Sequence, residues 1–213
     1  AMIEPLHRPL VGPVSGRTRL VGLLGGDVRH SLSLELHNAA FGALGLDWLY
    51  LPLAVPGGEP RRLGEAMSGL RALGFVGANV TMPHMESVIE HLDHVTESAR
   101  RIGAVNTVKV TGEQLVGGNT DADGFLADLD AHEVDWRDRP VLILGAGGAA
   151  RAIAHGLADG GCPTITVINR THSRAVRLAD DLERLYPHVG VGVERWLDGE
   201  PTAATSRALI VNC

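Results

Sequence analysis

Four polar stretches and one glycine turn hold most of the residues able to do chemistry in this chain. Ser31 and Ser33 offer two hydroxyls at the start of an apolar-periodic segment, where helix capping would satisfy one of them. Asn79 and Thr81 alternate along one side of a predicted strand within Asn79-Val80-Thr81-Met82-Pro83-His84-Met85-Glu86, where polar groups need a partner or a ligand. Asn106 follows Gly103-Ala104-Val105, and Asp121 ends Asn119-Thr120-Asp121 just before a helical segment that it either caps or leaves to a ligand.

The turn is Gly145-Ala146-Gly147-Gly148-Ala149-Ala150, directly behind the apolar run Val141–Leu144. The first glycine permits a tight turn, and the second lets backbone amides approach a pyrophosphate. A small third residue allows close helix–strand packing, so the pattern is a dinucleotide fingerprint with alanine in last place. Unpaired N–H groups at the following helix N-terminus would face phosphate charge. The next strand ends in Asn169-Arg170-Thr171, where a site for NAD would carry an acid for the ribose hydroxyls. An arginine there favours a 2′-phosphate and hence NADP. Arg174 is expected one helical turn above Arg170, clamping the same phosphate; the alternative is two solvated surface arginines.

These groups need elements to position them. Strands are predicted at Arg19–Gly25, Tyr50–Val55, Gly77–Thr81, Val105–Val110 and Gln114–Gly117. Helices are predicted between them, one with Leu36, Ala39, Ala40, Phe41 and Leu44 on its buried face and Gly45 as its stop. Others carry Leu63, Met67, Leu70 and Leu73, or run over His84–Leu92 and Thr96–Ile102. A helix over Asp121–Leu129 joins two halves, with the boundary near Gly124. Beyond it come strands Val141–Leu144, Thr164–Ile168, Val189–Val193 and Ala208–Asn212, and a helix from Ser173 lined by Ala175, Leu178, Ala179, Leu182 and Leu185. The alternation implies α/β architecture with a largely parallel sheet. The final strand lacks a covering helix, and a doubly wound nucleotide domain usually continues, so truncation or an unrecorded tail is expected.

At 213 residues, with 45% hydrophobic and 21% charged, the chain reads as an ordinary globular protein of one large or two modest domains. A formal charge of −6 argues against nucleic acid or an anionic membrane as partner. Two cysteines are too few for a disulfide scaffold, so a cytoplasmic setting is expected. Ala1-Met2 reads as an added residue before a native start, with residues to about Gly16 loosely held. His91 and His94, beside Glu90 and Asp93, lack a third ligand at metal spacing and read as exposed helix histidines, so no metal is expected. Gly-x-Ser-x-Gly is absent, which leaves a serine hydrolase without support.

Taken together, Ser31-x-Ser33, Asn79-Val80-Thr81-x-Pro83, Gly103-Ala104-Val105-Asn106-Thr107, Asn119-Thr120-Asp121, Gly145–Ala150 and Asn169-Arg170-Thr171-x-x-Arg174 closely resemble shikimate dehydrogenase. The resemblance runs from about Thr18 to the end. It implies an N-terminal α/β substrate domain (residues 17–123) and a Rossmann-type NADP-binding domain (124–213), truncated at the C-terminus. It also implies NADPH-dependent reduction of 3-dehydroshikimate to shikimate in aromatic amino-acid biosynthesis; quinate-preferring relatives share the fold, and preference between the two is left open. Ser31, Ser33, Asn79, Thr81, Asn106 and Asp121 would hydrogen-bond the hydroxylated acid. Gly145, Ala146, Gly147, Gly148, Ala149, Ala150, Asn169, Arg170, Thr171 and Arg174 would hold the dinucleotide. The assembly would be a monomer or homodimer.

The pattern breaks at one place. The family's proton-transfer residue is a lysine two positions after Pro83, paired with the aspartate matched by Asp121, and this chain has Met85 there. A thioether cannot donate a proton. Lys109, the sole lysine, sits on a strand and is expected to point to solvent. Three accounts are open: an engineered replacement, a natural paralogue that binds as a regulator or sensor, or partial takeover by His84.

Overall fold

The structure, a computed structural model, describes residues 14–195 and 208–213; the expectation for Ala1-Met2 and the residues after it to 13 lies outside them. The described residues form two compact units. One comprises the chain up to His94 with Thr107–Gly117, the other Val95–Asn106 with the chain from Gly118 onward.

The first unit is built on a six-stranded sheet of β1 (Arg19–Gly25), β2 (Trp48–Ala54), β3 (Gly77–Val80), β4 (His94–Val95), β5 (Thr107–Thr111) and β6 (Gln114–Gly118), in the order β2-β1-β3-β5-β6-β4. β1 pairs in parallel with both β2 and β3, while β5 pairs antiparallel to β3. The sheet is therefore mixed, where a largely parallel one was predicted. The segment between β3 and β5 holds only a 3₁₀ turn (Ser87–His91), β4 and a six-residue helix that groups with the other unit, so no crossover helix returns it in parallel. That turn also replaces the helix predicted over His84–Leu92, since so short a stretch cannot propagate by itself. Val88 anchors it in the core, and the His91 ring packs against Gly64 of α2 (Pro60–Ala72). His91 and His94 consequently lie in a 3₁₀ turn and a strand rather than on a helix.

Helix α1 (Ser33–Ala43) turns an unexpected face inward. Asn38 is its buried residue, whereas Leu36 and Leu44 are 64% and 72% exposed. The cause is a hydrogen-bond pair: Asn38 Nδ2 donates to the Tyr50 carbonyl (3.0 Å), and the Tyr50 N–H donates to Asn38 Oδ1 (2.9 Å). The amide thus satisfies both backbone groups of one residue on the outermost strand, β2.

The second unit holds a four-stranded parallel sheet of β7 (Val141–Leu144), β8 (Thr164–Asn169), β9 (Gly190–Arg195) and β10 (Leu209–Asn212), in the order β10-β7-β8-β9. Counted from β7, that is the 3-2-1-4 order of a Rossmann-type sheet. Helices α3 (Glu97–Ile102), α4 (Asp121–Ala131), α5 (Gly148–Asp159) and α6 (His172–Leu185) surround it. The boundary predicted near Gly124 falls inside α4. The core joins Ile143, Ile165 and Val167 of the sheet to Ala150, Ala154 and Leu157 of α5 and to Ala175, Leu178 and Leu182 of α6. Among the α6 stripe predicted from spacing, Leu185 is only partly buried.

Polar side chains tie α3 into this unit. Arg151 of α5 donates through Nε to the Ile102 carbonyl (2.6 Å) and through Nη2 to Asp181 of α6 (2.8 Å). Arg101 bonds the Tyr186 hydroxyl (2.6 Å) and pairs with Asp159. His155, beneath them, is buried, and desolvation holds its pKa down at about 4. Among the described residues no helix is long and apolar enough to cross a membrane, and no cluster of three or more His, Cys, Asp or Glu could hold a metal ion.

Candidate functional site

In the first unit, four of the predicted residues gather at the carboxyl end of the parallel strands. Ser31 and Ser33 follow β1, and Thr81 follows β3, the strand that bears Asn79. The loops after β1 and β3 are joined by a Gly26 N–H to Met82 carbonyl bond (2.9 Å), and Thr81 N–H reaches the Leu24 carbonyl (2.9 Å). Ser31 Oγ accepts the N–H of Ser33 (3.3 Å), yet the residue in capping position is Leu32, with no side-chain cap. The Ser31 hydroxyl thus already accepts the first N–H of α1, whereas the Ser33 hydroxyl makes no capping bond.

Asn79 sits in a hydrogen-bonded chain: the Tyr50 hydroxyl donates to its Oδ1 (2.8 Å), and its Nδ2 donates to Thr107 Oγ1 (3.3 Å) across the antiparallel β3–β5 register. Met85 is buried, 7% exposed. His84 beside it is buried too, with Nε2 held 2.7 Å from the Val55 carbonyl, so its ring is committed to the backbone. Lys109 is exposed on β5, opposite Gly77.

In the second unit, Asn106 Nδ2 donates to Asp121 Oδ1 (2.6 Å) and to Thr120 Oγ1 (3.1 Å). Buried Asn119 braces the pair, donating to the Ala104 carbonyl (3.1 Å) and accepting the Asp121 N–H (2.9 Å). Thr120, not Asp121, occupies the cap position of α4, so the Asp121 carboxylate is not spent on capping. Burial raises its pKa above the ordinary carboxylate value, against the smaller opposing pull of the Asn106 bond. Its charge also reaches Cys213, whose thiol is pushed up chiefly by burial.

The glycine turn follows β7 at the switch point, where β8 and β10 flank it on opposite sides. Gly145 has φ +133° and passes so close to the chain that a Cβ would lie 2.7 Å from the Cys213 carbonyl oxygen, so only glycine fits. Gly147 differs: its φ is −89°, and a Cβ there would meet nothing within 4 Å. Neither packing nor backbone geometry demands glycine at that position. Ala150 is wholly buried against the sheet. Arg174 stands in the first turn of α6 and donates through Nε to the Ala146 carbonyl (3.2 Å). Asn169 bonds the Thr171 carbonyl (2.9 Å), and Arg170 is exposed ahead of α6. Arg170 therefore does not occupy the helical turn below Arg174, because α6 begins only at His172.

Two participants escaped the sequence reading. Tyr50 gave no signal beyond being an aromatic on a strand, while Thr107 lay in plain view as the last residue of Gly103-Ala104-Val105-Asn106-Thr107.

A mixed-sheet α/β unit and a Rossmann-type unit with a glycine turn at its switch point place the chain in a two-unit α/β class built on a nucleotide-binding fold. Residues 23–108 match the family model described as shikimate dehydrogenase substrate binding domain, and residues 128–189 match that of shikimate / quinate 5-dehydrogenase. The chain belongs to the shikimate dehydrogenase family. It is 46% identical over 175 residues to shikimate dehydrogenase (NADP(+)) of Geobacter metallireducens, covering 81% of this chain and 60% of that protein. The enzyme of the same name from Symbiobacterium thermophilum is 45% identical over 199 residues, covering 93% and 67% respectively. A crystal structure of shikimate 5-dehydrogenase from Thermus thermophilus, in complex with NADP(H) and shikimate, superposes with a TM-score of 0.72 at 39% identity, covering 81% of this chain and 62% of that one. The chain thus spans about three fifths to two thirds of the length of these relatives.

Proposed function

We propose that this chain binds NADP and a shikimate-like hydroxylated cyclohexene acid, interconverting shikimate and 3-dehydroshikimate with catalysis impaired at Met85. The observation that carries the reading is the half-buried Asp121 carboxylate, its pKa raised by burial and one oxygen held at 2.6 Å by Asn106. A carboxylate so poised can accept a hydroxyl proton's hydrogen bond and orient the reacting oxygen. Residues 17–123 take the substrate-binding role, with Ser31, Ser33, Asn79 and Thr81 as ligand groups, and Asn106 and Asp121 complete the set. Residues 124–213 take the dinucleotide. Amides of the 145–150 turn meet its pyrophosphate, and Asn169, Arg170, Thr171 and Arg174 meet its adenosine end, where the absence of an acid suits a 2′-phosphate. When bound, the nicotinamide supplies the hydride chemistry. The protein is read as a cytoplasmic monomer or homodimer.

A second reading has its own support. Met85 is apolar and buried where the family has its proton-transfer lysine, and neither His84 nor Lys109 is placed to replace it. A protein that keeps the cradle and loses the proton donor would serve as a shikimate or quinate sensor. Calorimetric titration tests what both readings share: NADPH and shikimate are each expected to bind with micromolar to millimolar affinity, as is usual for enzyme ligands. If neither associates, both readings are wrong.

The two glycines divide stability from binding. Gly145→Ala is expected to lower stability by about 1–3 kcal/mol through its positive φ and the clash at Cys213, seen in chemical denaturation. Gly147→Ala should leave stability unchanged and weaken NADPH by about tenfold or more, a loss of roughly 1.4 kcal/mol. Equal binding by wild type and Gly147→Ala would remove the turn from the cofactor site.

A further inference from the structure

We infer that Arg151 is a positioning residue: its guanidinium, by holding the Ile102 carbonyl, sets where the Asn106–Asp121 pair stands relative to the glycine turn. This rests on the proposed role of Asn106 and Asp121 as ligand groups. Every residue concerned belongs to the second unit.

Asn106 ends a run, residues 103–106, that has no regular secondary structure of its own, so bonds from its neighbours must place it. At the far end the Asn106 N–H donates to the Gly118 carbonyl (3.1 Å), and midway the Ala104 carbonyl accepts from Asn119 (3.1 Å). Both partners lie on the segment leading into Asp121. These bonds therefore fix the pair internally and leave its place in the unit to other contacts. Helix α5 supplies two of them. Arg151 Nε donates to the carbonyl of Ile102 (2.6 Å), the last residue of α3, where a helix leaves acceptors unpaired and welcomes a positive charge. Gly103 then leaves the helix at φ +72°, so close that a Cβ would sit 2.9 Å from Arg151 Nη2. The second contact is Gly156, where a Cβ would lie 3.0 Å from that of Ala122, the residue after Asp121.

Arg151 is itself held firmly. Its side chain is 14% exposed, and its charge is met by Asp181 of α6, at 2.8 Å from Nη2. The other Asp181 oxygen takes Arg184 (3.0 Å). A guanidinium is a rigid planar fork, so the bond to Asp181 also fixes the direction in which Nε points. The Arg151 backbone N–H meanwhile closes on the Gly147 carbonyl (2.9 Å), inside the glycine turn. One residue thus reaches from the turn assigned to the pyrophosphate to the carbonyl that seats the carboxylate pair. A misplacement of about 1 Å between reacting groups costs on the order of 10²-fold in rate, which gives such a link its purpose.

The test is Arg151→Met, which keeps much of the length and cannot donate. Arg151→Lys accompanies it, keeping a cation for Asp181 without the planar fork, and carries the test if the first variant does not fold. Arg101→Met is the structural control, since it unties α3 from Tyr186 and Asp159 and leaves the Ile102 bond in place. Two quantities are read: shikimate affinity by calorimetry, and the side-chain amide resonance of Asn106 in isotope-labelled protein without ligand. Both Arg151 variants are expected to move that resonance and to weaken shikimate about three- to tenfold, the range of one displaced hydrogen bond. In an Asn106→Ala background, replacing Arg151 should have no further effect on shikimate. Arg101→Met should unfold at lower denaturant while keeping both the resonance and the affinity. An unmoved resonance or unchanged affinity in a folded Arg151 variant overturns the inference. So does an equal loss of affinity in both backgrounds, or an equal loss in Arg101→Met. If wild type binds no shikimate, the functional reading fails, and the Asn106 resonance alone still decides whether Arg151 places the pair.

Discussion

Met85→Lys is expected to raise shikimate-dependent reduction of NADP by about 10²-fold or more, because it restores a group able to exchange a proton at the reacting oxygen. General acid–base catalysis of that size corresponds to roughly 3–5 kcal/mol of barrier. The setting favours the effect. Met85 is 7% exposed, so a lysine ammonium there would be partly desolvated, and its pKa would move down toward the working pH, where a proton donor and acceptor is most effective. The same desolvation carries a stability cost, so the variant should melt earlier than wild type even as it turns over faster. Met85→Leu is the control, since it fills similar space with no proton to give, and it should match wild type. Steady-state absorbance at the nicotinamide band reads all three. Equal turnover in wild type and Met85→Lys would show that position 85 does not limit the reaction, and no turnover in either would sink the enzyme reading.

In the Met85→Lys background, Asp121→Asn is expected to cut turnover by about 10²- to 10⁴-fold while making the fold no less stable. The stability half follows from linkage. Burial raises the Asp121 carboxyl above its ordinary value of 3.8, so the folded protein binds that proton more tightly than the unfolded chain does. The resulting stabilisation is complete below the ordinary value and is lost as pH rises through the folded one. At neutral pH the ionised, half-buried carboxylate is a net cost, offset in part by Asn106. An amide at the same place avoids it. The acid limb of the kcat/KM profile should therefore disappear in Asp121→Asn, and denaturation midpoints should converge between the two proteins as pH falls. A variant that keeps its turnover, or keeps its acid limb, would remove Asp121 from the reaction.

Much of the architecture could be read from residue pattern alone, for identifiable reasons. Val141–Leu144 is an unbroken apolar run because β7 is covered on both faces, and its predicted ends are the observed ones. The α6 stripe of Ala175, Leu178, Ala179 and Leu182 repeats at helical spacing because one side alone meets the sheet. Strand direction was not legible: β5 has the same apolar alternation whether it runs with β3 or against it. The buried face of α1 was misjudged because a single polar residue, Asn38, outweighs Leu36 and Leu44 once its amide closes two bonds on Tyr50. Of the polar candidates, those whose neighbours supply fixed backbone partners, such as Asn106 and Asp121, came together as a pair. Tyr50 was missed since nothing in a strand tyrosine announces the hydroxyl's destination.

The way β2 is finished bears on how two copies of this chain can meet. Tyr50 and Pro52 point their backbone groups the same way along the sheet margin. At the first, an asparagine already holds the amide and carbonyl; at the second, the imide nitrogen has no hydrogen to offer. The opposite margin ends in β4, two residues long. Both rims of this six-stranded sheet are thus poor templates for an incoming strand, which hinders its own edge-to-edge fusion with another sheet.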